Sequence, residues 1–134
     1  KKFKSLHKLT AFNRSIIRGS GKQNNLADVI RLGEFEQSIS DFDLIINATS
    51  AGSSNDLNSA PFNLDLLNNA KPGCTIYDII YDPLKTKLLL VSESCGLKTI
   101  NGLRMNMVQA VLAYKYTNST KLSLEQVFKT MEDH

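Results

Sequence analysis

The sequence lacks several features that would place it outside the ordinary soluble globular class. Its two cysteines, Cys74 and Cys95, lie in separate segments without CxxC spacing. This predicts a reducing, cytoplasmic setting rather than a disulfide framework. No apolar run approaches the length of about 18 residues that a membrane span needs. The first residues are basic, but they are not followed by the apolar stretch that a signal peptide requires. The formal net charge of +3 is too small to indicate a nucleic-acid partner.

Several motifs of catalysis and metal binding are also absent. The sequence has no P-loop, HExxH or GxSxG motif and no Cys/His cluster at metal-ligand spacing, so we expect no metal site. His7 and His134 lie near the termini without an evident partner, and we assign neither a catalytic role. The segment 19–23 (GSGKQ) has two glycines but follows no strand, so it is not a glycine-rich dinucleotide loop.

What the 134 residues do contain fits one domain with its own core. Strand, loop and helix patterns recur without internal repeats, which predicts an α/β fold with a mostly parallel sheet. Strands are predicted at 9–12, 29–32, 44–46, 75–81 and 98–100, and helices at 34–39, 64–69, 83–91, 103–116 and 124–131. Residues 1–7 indicate the tail of a helix, and residues 19–25 indicate a loop. Gly96 is the predicted C-terminal cap of the helix at 83–91, and 123–126 (SLEQ) is a capping-box pattern that opens the last helix. The helix at 103–116 carries an apolar stripe at Leu103, Met107, Ala110, Val111 and Tyr114. Because residues 44–46 are an unbroken apolar run, we expect a strand that is covered on both faces.

Two arginines follow the first strand, within the segment 13–18 (NRSIIR). We compare this strand with the second strand of a dinucleotide fold, the end of which meets the adenosine ribose. An acidic residue there binds the free 2′-hydroxyl of NAD, whereas an arginine accommodates the 2′-phosphate of NADP. Arg14 and Arg18 therefore favour NADP, and two solvated arginines in a surface loop are the alternative.

Three further places satisfy the rule that ligands bind at the carboxyl ends of parallel strands or beside them. The small residues of 47–52 (NATSAG) would let a ligand approach free N–H groups and the hydroxyls of Thr49 and Ser50, although an ordinary loop fits equally well. Tyr81 can point its hydroxyl into the crevice, or it is a core aromatic residue with a wet tip. Gln109 offers two donors and an acceptor to a ligand, or it is a polar residue on the outer helix face.

Four segments carry a resemblance to a known family: NRS, INATSAG, YDIIYDPLKTKLL and NGLRMNMVQA occur in this order. Over about residues 9–116 the chain resembles the C-terminal, NADP-binding half of shikimate dehydrogenase. The resemblance implies a Rossmann-like, doubly wound α/β fold with a mostly parallel sheet that is incomplete at its N-terminus. The first strand and the glycine-rich loop are not found, so residues 1–134 are expected to be part of an NADP-binding domain that follows a substrate domain.

The resemblance also implies roles for matching residues. The cofactor positions are Asn13, Arg14, Ser15 and Arg18 around the 2′-phosphate, Thr49 and Ser50 along the cofactor, and Ile79, Gly102 and Met105 near the nicotinamide. The substrate positions are Tyr81 and Gln109, which match residues that hydrogen-bond shikimate. Ser53 stands where the family often has Met, which weakens any apolar cover over the nicotinamide.

The reaction implied by the resemblance is the reversible, NADPH-dependent reduction of 3-dehydroshikimate to shikimate in aromatic amino-acid biosynthesis. A Lys/Asp pair on the missing N-terminal catalytic domain is implied to handle the proton. We therefore assign no catalytic residue in this chain and expect the chain alone to be inactive. The resemblance also allows a homodimer. Two alternatives are an NAD-dependent quinate/shikimate dehydrogenase, against which the arginines argue, and a non-catalytic nucleotide-binding remnant.

Overall fold

A computed structural model describes residues 9–13 and 28–132 of the chain. The elements are β1 (Thr10–Asn13), β2 (Asp28–Arg31), α1 (Leu32–Ser38), β3 (Leu44–Asn47), β4 (Thr75–Asp78), α2 (Lys87–Ser94), β5 (Lys98–Ile100), α3 (Leu103–Thr117) and α4 (Leu124–Glu132), with 3-10 helices at Ile39–Asp41 and Leu64–Asn69. The predicted alternation of strands and helices is confirmed. The helix tail expected at 1–7 and the loop expected at 19–25 lie outside the described residues.

Every strand pairing in the described ranges is parallel. β1 pairs with β2, and β4 lies between β3 and β5. Asn47 lies opposite Asp78, at the ends of β3 and β4. The segments that follow these two strands therefore leave the sheet from the same edge, which confirms the prediction of an α/β fold with a parallel sheet.

The core lies between the three-stranded sheet and a layer formed by α1, α2 and the two 3-10 helices. Its buried apolar members are Phe35, Ile39, Ile45, Leu67, Cys74, Ile76, Leu88, Leu89 and Leu97. Phe12 of β1 joins this core, with its ring centroid 5.0 Å from that of Phe35 and 5.7 Å from that of Phe42. Burial raises the pKa of the Cys74 thiol, as expected of a cysteine that serves as a small apolar residue.

β3 differs from the prediction of a strand covered on both faces. Ile45 and Asn47 are buried, whereas Leu44 and Ile46 are 46% and 48% exposed. The alternation arises because one face of the sheet packs on the core, while the described elements leave the other face partly open. An unbroken apolar run therefore does not mark two covered faces in the part of the chain seen here.

Two element boundaries also differ from the prediction. β4 ends at Asp78 rather than at residue 81, because the Asp78 side chain accepts a hydrogen bond from the Ile80 N–H (3.1 Å) and turns the chain out of the strand. α2 begins at Lys87 rather than at Pro83, because the Thr86 side chain caps the helix. The predicted C-terminal cap of α2 at Gly96 is confirmed by its φ of +73°.

α3 and α4 pack against each other. The predicted capping box of α4 is confirmed: Ser123 Oγ accepts from the Gln126 N–H (3.1 Å), and Gln126 Oε1 accepts from the Ser123 N–H (2.8 Å). The prediction that the apolar stripe of α3 faces the core is wrong. Val111 is the buried residue of this helix, while Leu103 and Tyr114 are 39% and 40% exposed. No helix in the described ranges is long and apolar enough to cross a membrane.

Candidate functional site

Several of the predicted site residues converge at the carboxyl edge of the three-stranded sheet. The segment 79–82 after β4 runs beside the end of β3, where the Ile79 N–H donates to the Asn47 carbonyl (3.2 Å). The Gly102 N–H donates to the Ile80 carbonyl (2.9 Å) and brings the start of α3 to the same place. Loop 48–52, segment 79–82 and the N-terminus of α3 thus meet at one edge of the sheet.

The start of α3 approaches the end of β4 so closely that position 102 has no room for a side chain. A Cβ at Gly102 would overlap the carbonyl group of Ile79 and would lie 3.0 Å from the Ile79 Cα. The φ of Gly102 is −79°, which any residue adopts, so space rather than conformation requires glycine here. Asn101 fixes the turn, since it accepts from the Leu103 N–H (3.3 Å) and donates to the Leu84 carbonyl (3.2 Å).

A buried asparagine organises loop 48–52. Asn47 is 3% exposed. Its Oδ1 accepts from the N–H (3.0 Å) and the hydroxyl (2.7 Å) of Thr49, and its Nδ2 donates to the Ala51 carbonyl (3.3 Å). Thr49 Oγ1 in turn accepts from the Ala51 N–H (3.2 Å). The loop is therefore held in shape by hydrogen bonds among its own residues and Asn47.

The prediction of free N–H groups in this loop is wrong for Thr49, Ala51 and Gly52. The Thr49 N–H donates to Asn47 Oδ1, the Ala51 N–H donates to Thr49 Oγ1, and the Gly52 N–H donates to Ser59 Oγ (3.1 Å). The Thr49 hydroxyl already donates its proton, so Thr49 can only accept from a ligand. Ser50 is exposed, and its hydroxyl makes no hydrogen bond to the described residues, so it remains available as a donor.

The Asp78 carboxylate joins this loop to α2. Asp78 is fully buried. Its Oδ1 accepts from Asn47 Nδ2 (3.1 Å) and from the Ile80 N–H (3.1 Å), and its Oδ2 accepts from Thr86 Oγ1 (2.7 Å). Both oxygens are thus paired, as a buried carboxylate requires. The sequence prediction of the site omits Asp78 and Thr86. The signal that points to Asp78 is a charged residue among the apolar residues of the predicted strand 75–81.

Tyr81 and Gln109, the predicted substrate residues, both reach the surface. Tyr81 is 48% exposed, which argues against the alternative of a core aromatic residue. Gln109 is exposed, and Gly102, half-buried Met105 and Gln109 lie on one face of the helix because they follow each other at spacings of three and four residues. At the rise of an α-helix, Gln109 lies about 10 Å along the axis from Gly102. The roles of both side chains stay predictions.

The predicted 2′-phosphate residues are described only at their first member. Asn13 is the last residue of β1 and lies opposite Arg31 of β2. Arg14, Ser15 and Arg18 lie outside the described residues, so their roles also stay predictions. Among the residues that the structure describes, no group of three His, Cys, Asp or Glu side chains could hold a metal ion.

The chain is similar in sequence to curated shikimate dehydrogenases, although no protein-family model matches it. It is 39% identical over 101 residues to a shikimate dehydrogenase (NADP(+)) of Bacillus licheniformis, and this match covers 75% of the chain and 35% of that protein. The chain thus spans about a third of the length of this relative.

Solved structures of shikimate dehydrogenases share the fold. Shikimate dehydrogenase 1 from Peptoclostridium difficile matches 93% of this chain and 44% of its own, with a TM-score of 0.71 and 25% identity. A shikimate dehydrogenase crystallised in complex with NADP+ matches 80% of this chain and 35% of its own, with a TM-score of 0.55 and 27% identity. These comparisons confirm the Rossmann-like fold and the resemblance predicted from the four segments.

Proposed function

The chain is related to the shikimate dehydrogenases, and we propose that it forms the cofactor-binding part of an NADP-dependent shikimate dehydrogenase. The proposed reaction is the reversible, NADPH-dependent reduction of 3-dehydroshikimate to shikimate in aromatic amino-acid biosynthesis. The observation that carries the proposal is the meeting of loop 48–52, segment 79–82 and the start of α3 at one sheet edge. Three of the four segments that carry the resemblance contribute to this edge. We propose a cytoplasmic location, since Cys74 and Cys95 are both free.

The strand order supports a larger cofactor domain in the complete protein. Among the described strands, β1 pairs with β2, and β3, β4 and β5 form a second sheet. In the dinucleotide order 3-2-1-4-5-6, one strand lies between the second and fourth strands, to which β1 and β3 correspond. We propose that the complete protein supplies this strand with a glycine-rich phosphate loop. A substrate domain upstream is proposed to carry the Lys/Asp pair that handles the proton.

The residues at the sheet edge fit a nicotinamide dinucleotide. Thr49 offers an acceptor and Ser50 a donor, which suit the hydroxyls and phosphates of such a ligand. Gly102 lets the start of α3 close on the Ile79 carbonyl, which keeps the two proposed nicotinamide positions adjacent to each other. When bound, NADPH supplies the hydride. The chain's own residues would hold and orient the cofactor.

The exposed polar groups beside this surface fit a polyhydroxylated carboxylate such as shikimate. The Tyr81 phenol can donate to or accept from a ligand hydroxyl, and the Gln109 amide can donate to a carboxylate or accept from a hydroxyl. Two such groups on different elements would fix the orientation of the substrate ring relative to the nicotinamide position.

Shikimate-dependent formation of NADPH by the complete protein tests the proposed function. The reaction is followed with shikimate or quinate as substrate and with NADP+ or NAD+ as cofactor. We expect shikimate with NADP+ to give the highest kcat/KM. A preference for NAD+ would favour the quinate/shikimate dehydrogenase alternative. Binding of NADP+ without turnover of either substrate would favour the nucleotide-binding remnant.

Arg14 and Arg18 are proposed to select NADP over NAD. Replacing both by Ala removes two charge-assisted hydrogen bonds to the 2′-phosphate, so the KM for NADP+ should rise at least about tenfold while that for NAD+ stays nearly constant. The steady-state kinetics of the double variant with both cofactors check this. Lys98→Ala is the control, because it removes a positive charge at the start of β5, at the end of the strand that faces away from the site. Equal changes for the two cofactors would contradict the assignment.

Gln109 is proposed to bind the substrate. Gln109→Ala should weaken shikimate binding by about 1.5–3 kcal/mol, because a polar group of the ligand is left unpaired. The measurement is the KM for shikimate together with the Kd for NADP+, which should not change. Lys115→Ala removes a polar side chain from a different face of α3 and serves as the control. Unchanged shikimate kinetics would make Gln109 an ordinary polar surface residue.

A further inference from the structure

Three buried polar side chains lie behind the proposed site and take no direct part in it. Asn47, Asp78 and Thr86 are 3%, 0% and 1% exposed. Asn47 Nδ2 and Thr86 Oγ1 each donate to one oxygen of the Asp78 carboxylate, and we name this group the Asn47–Asp78–Thr86 network. Every buried side-chain nitrogen and oxygen of the described residues has a hydrogen-bond partner. Any break in the network therefore leaves a buried polar atom unpaired.

The network holds loop 48–52 from two sides. Asn47 Oδ1 binds both the N–H and the hydroxyl of Thr49. At the other end of the loop, Gly52 packs on Thr86, since a Cβ at position 52 would lie 3.4 Å from the Thr86 Cβ. The loop is thus fixed by hydrogen bonds at its beginning and by contact with a network residue at its end.

The network also holds segment 79–82 and the start of α3. Asp78 Oδ1 accepts from the Ile80 N–H (3.1 Å), and the Ile80 carbonyl accepts from the Gly102 N–H (2.9 Å). One carboxylate therefore positions the segment that carries the proposed nicotinamide and substrate residues. The helix that carries Gln109 is one further hydrogen bond away.

We propose that the Asn47–Asp78–Thr86 network positions the two halves of the site relative to each other. It couples the cofactor loop 48–52 to the substrate segment 79–82, so that Thr86, which is buried away from both ligands, sets the affinity for both. The identity of the ligands rests on the proposed function, whereas the coupling between the two segments does not. A threonine that only capped α2 would affect the first turn of that helix and nothing beyond it.

Thr86→Val in the complete protein tests the effect on ligands. Valine keeps the branched shape but leaves Asp78 Oδ2 without its donor and the Leu89 N–H in the first turn of α2 without its acceptor. We expect the Kd for NADP+ and the KM for shikimate each to rise about tenfold, and Thr86→Ser to restore both to within about twofold. The matched control is Ser92→Ala, which removes another buried hydroxyl of α2 that donates to the Leu88 carbonyl (2.7 Å) outside the network. It should lower stability without changing either constant.

Amide hydrogen exchange measured on the same variants tests the coupling without any ligand. Thr86→Val should speed exchange at the N–H groups of Thr49, Ala51 and Ile80, whereas Ser92→Ala should not. Faster exchange confined to α2 would overturn the proposal, and so would unchanged ligand constants in Thr86→Val. If exchange spreads as expected but the wild-type protein neither binds NADP+ nor oxidises shikimate, the coupling stands and the proposed function fails.

Discussion

Gly102→Ala should lower the kcat/KM for shikimate about 100-fold in the complete protein. A Cβ at this position would overlap the Ile79 carbonyl, and the backbones of residues 79 and 102 are packed together, so neither can move independently of its surroundings. The start of α3 would have to retreat by about 1 Å, and a misplacement of that size at a reacting centre costs about 10²-fold in rate. The loss of stability should be about 1–3 kcal/mol, which comes from the overlap alone because the φ of −79° suits alanine.

Gly96→Ala is the matched control, because glycine is required there by conformation rather than by space. Its φ is +73°, and apart from its chain neighbours no heavy atom of the described residues lies within 4 Å of the place that a Cβ would take. Alanine there should cost about 1–2 kcal/mol of stability and leave the kinetics unchanged. A wild-type kcat/KM in Gly102→Ala would show that the contact with Ile79 is not part of the site. An equal kinetic loss in both variants would point to a general effect of stability.

The order of strands and helices in this chain is readable from the sequence because each element carries a local signal. Ser123 and Gln126 form the capping box that their spacing predicts, and Gly96 ends α2 where a left-handed residue is needed. Such signals depend on residues within one turn of each other. They need no knowledge of the rest of the fold.

The C-terminal end of β4 and the start of α2 could not be predicted in the same way. Asp78 ends β4 by accepting from the Ile80 N–H, and Thr86 caps α2. These two side chains are held in place by the hydrogen bond between them, eight residues apart in sequence, and by the contact of Asp78 with Asn47 in the neighbouring strand. Similarly, the apolar run 44–46 predicts burial but does not say which element covers each face. Leu44 and Ile46 remain about half exposed because the described elements leave their face of the sheet partly open.

The candidate site shows the same division between local and tertiary information. The four segments of the resemblance lead to Thr49, Tyr81 and Gln109, which have surfaces that a ligand can reach. They do not reveal that the N–H of Thr49 is already bonded to the Asn47 side chain, or that Asp78 lies beneath the site with both oxygens paired. A buried carboxylate requires partners from other elements, and those partners are identified by the packing of the chain.

Asp78→Ala should cause the largest loss of stability of the substitutions considered, about 4 kcal/mol. Without the carboxylate, the Ile80 N–H and the Thr86 hydroxyl lose their acceptor, and Asn47 Nδ2 keeps only the Ala51 carbonyl. Each buried group left unpaired costs about 1–3 kcal/mol, and the removed side chain leaves a cavity in addition. The shift of the urea unfolding midpoint of the complete protein measures the loss.

Two further variants separate the hydrogen bonds of Asp78 from its shape and charge. Asp78→Asn keeps the shape and the acceptor for Asn47 and Ile80, while its amide faces Thr86, whose hydroxyl can turn to accept; we expect about half the loss of the alanine variant. Asp43→Ala removes an acid that is 83% exposed and paired with Lys71, and it should cost less than about 1 kcal/mol. If Asp78→Ala costs no more than Asp43→Ala, the buried hydrogen bonds do not stabilise this edge of the sheet. If Asp78→Asn loses as much as Asp78→Ala, the negative charge itself is what the three donors require.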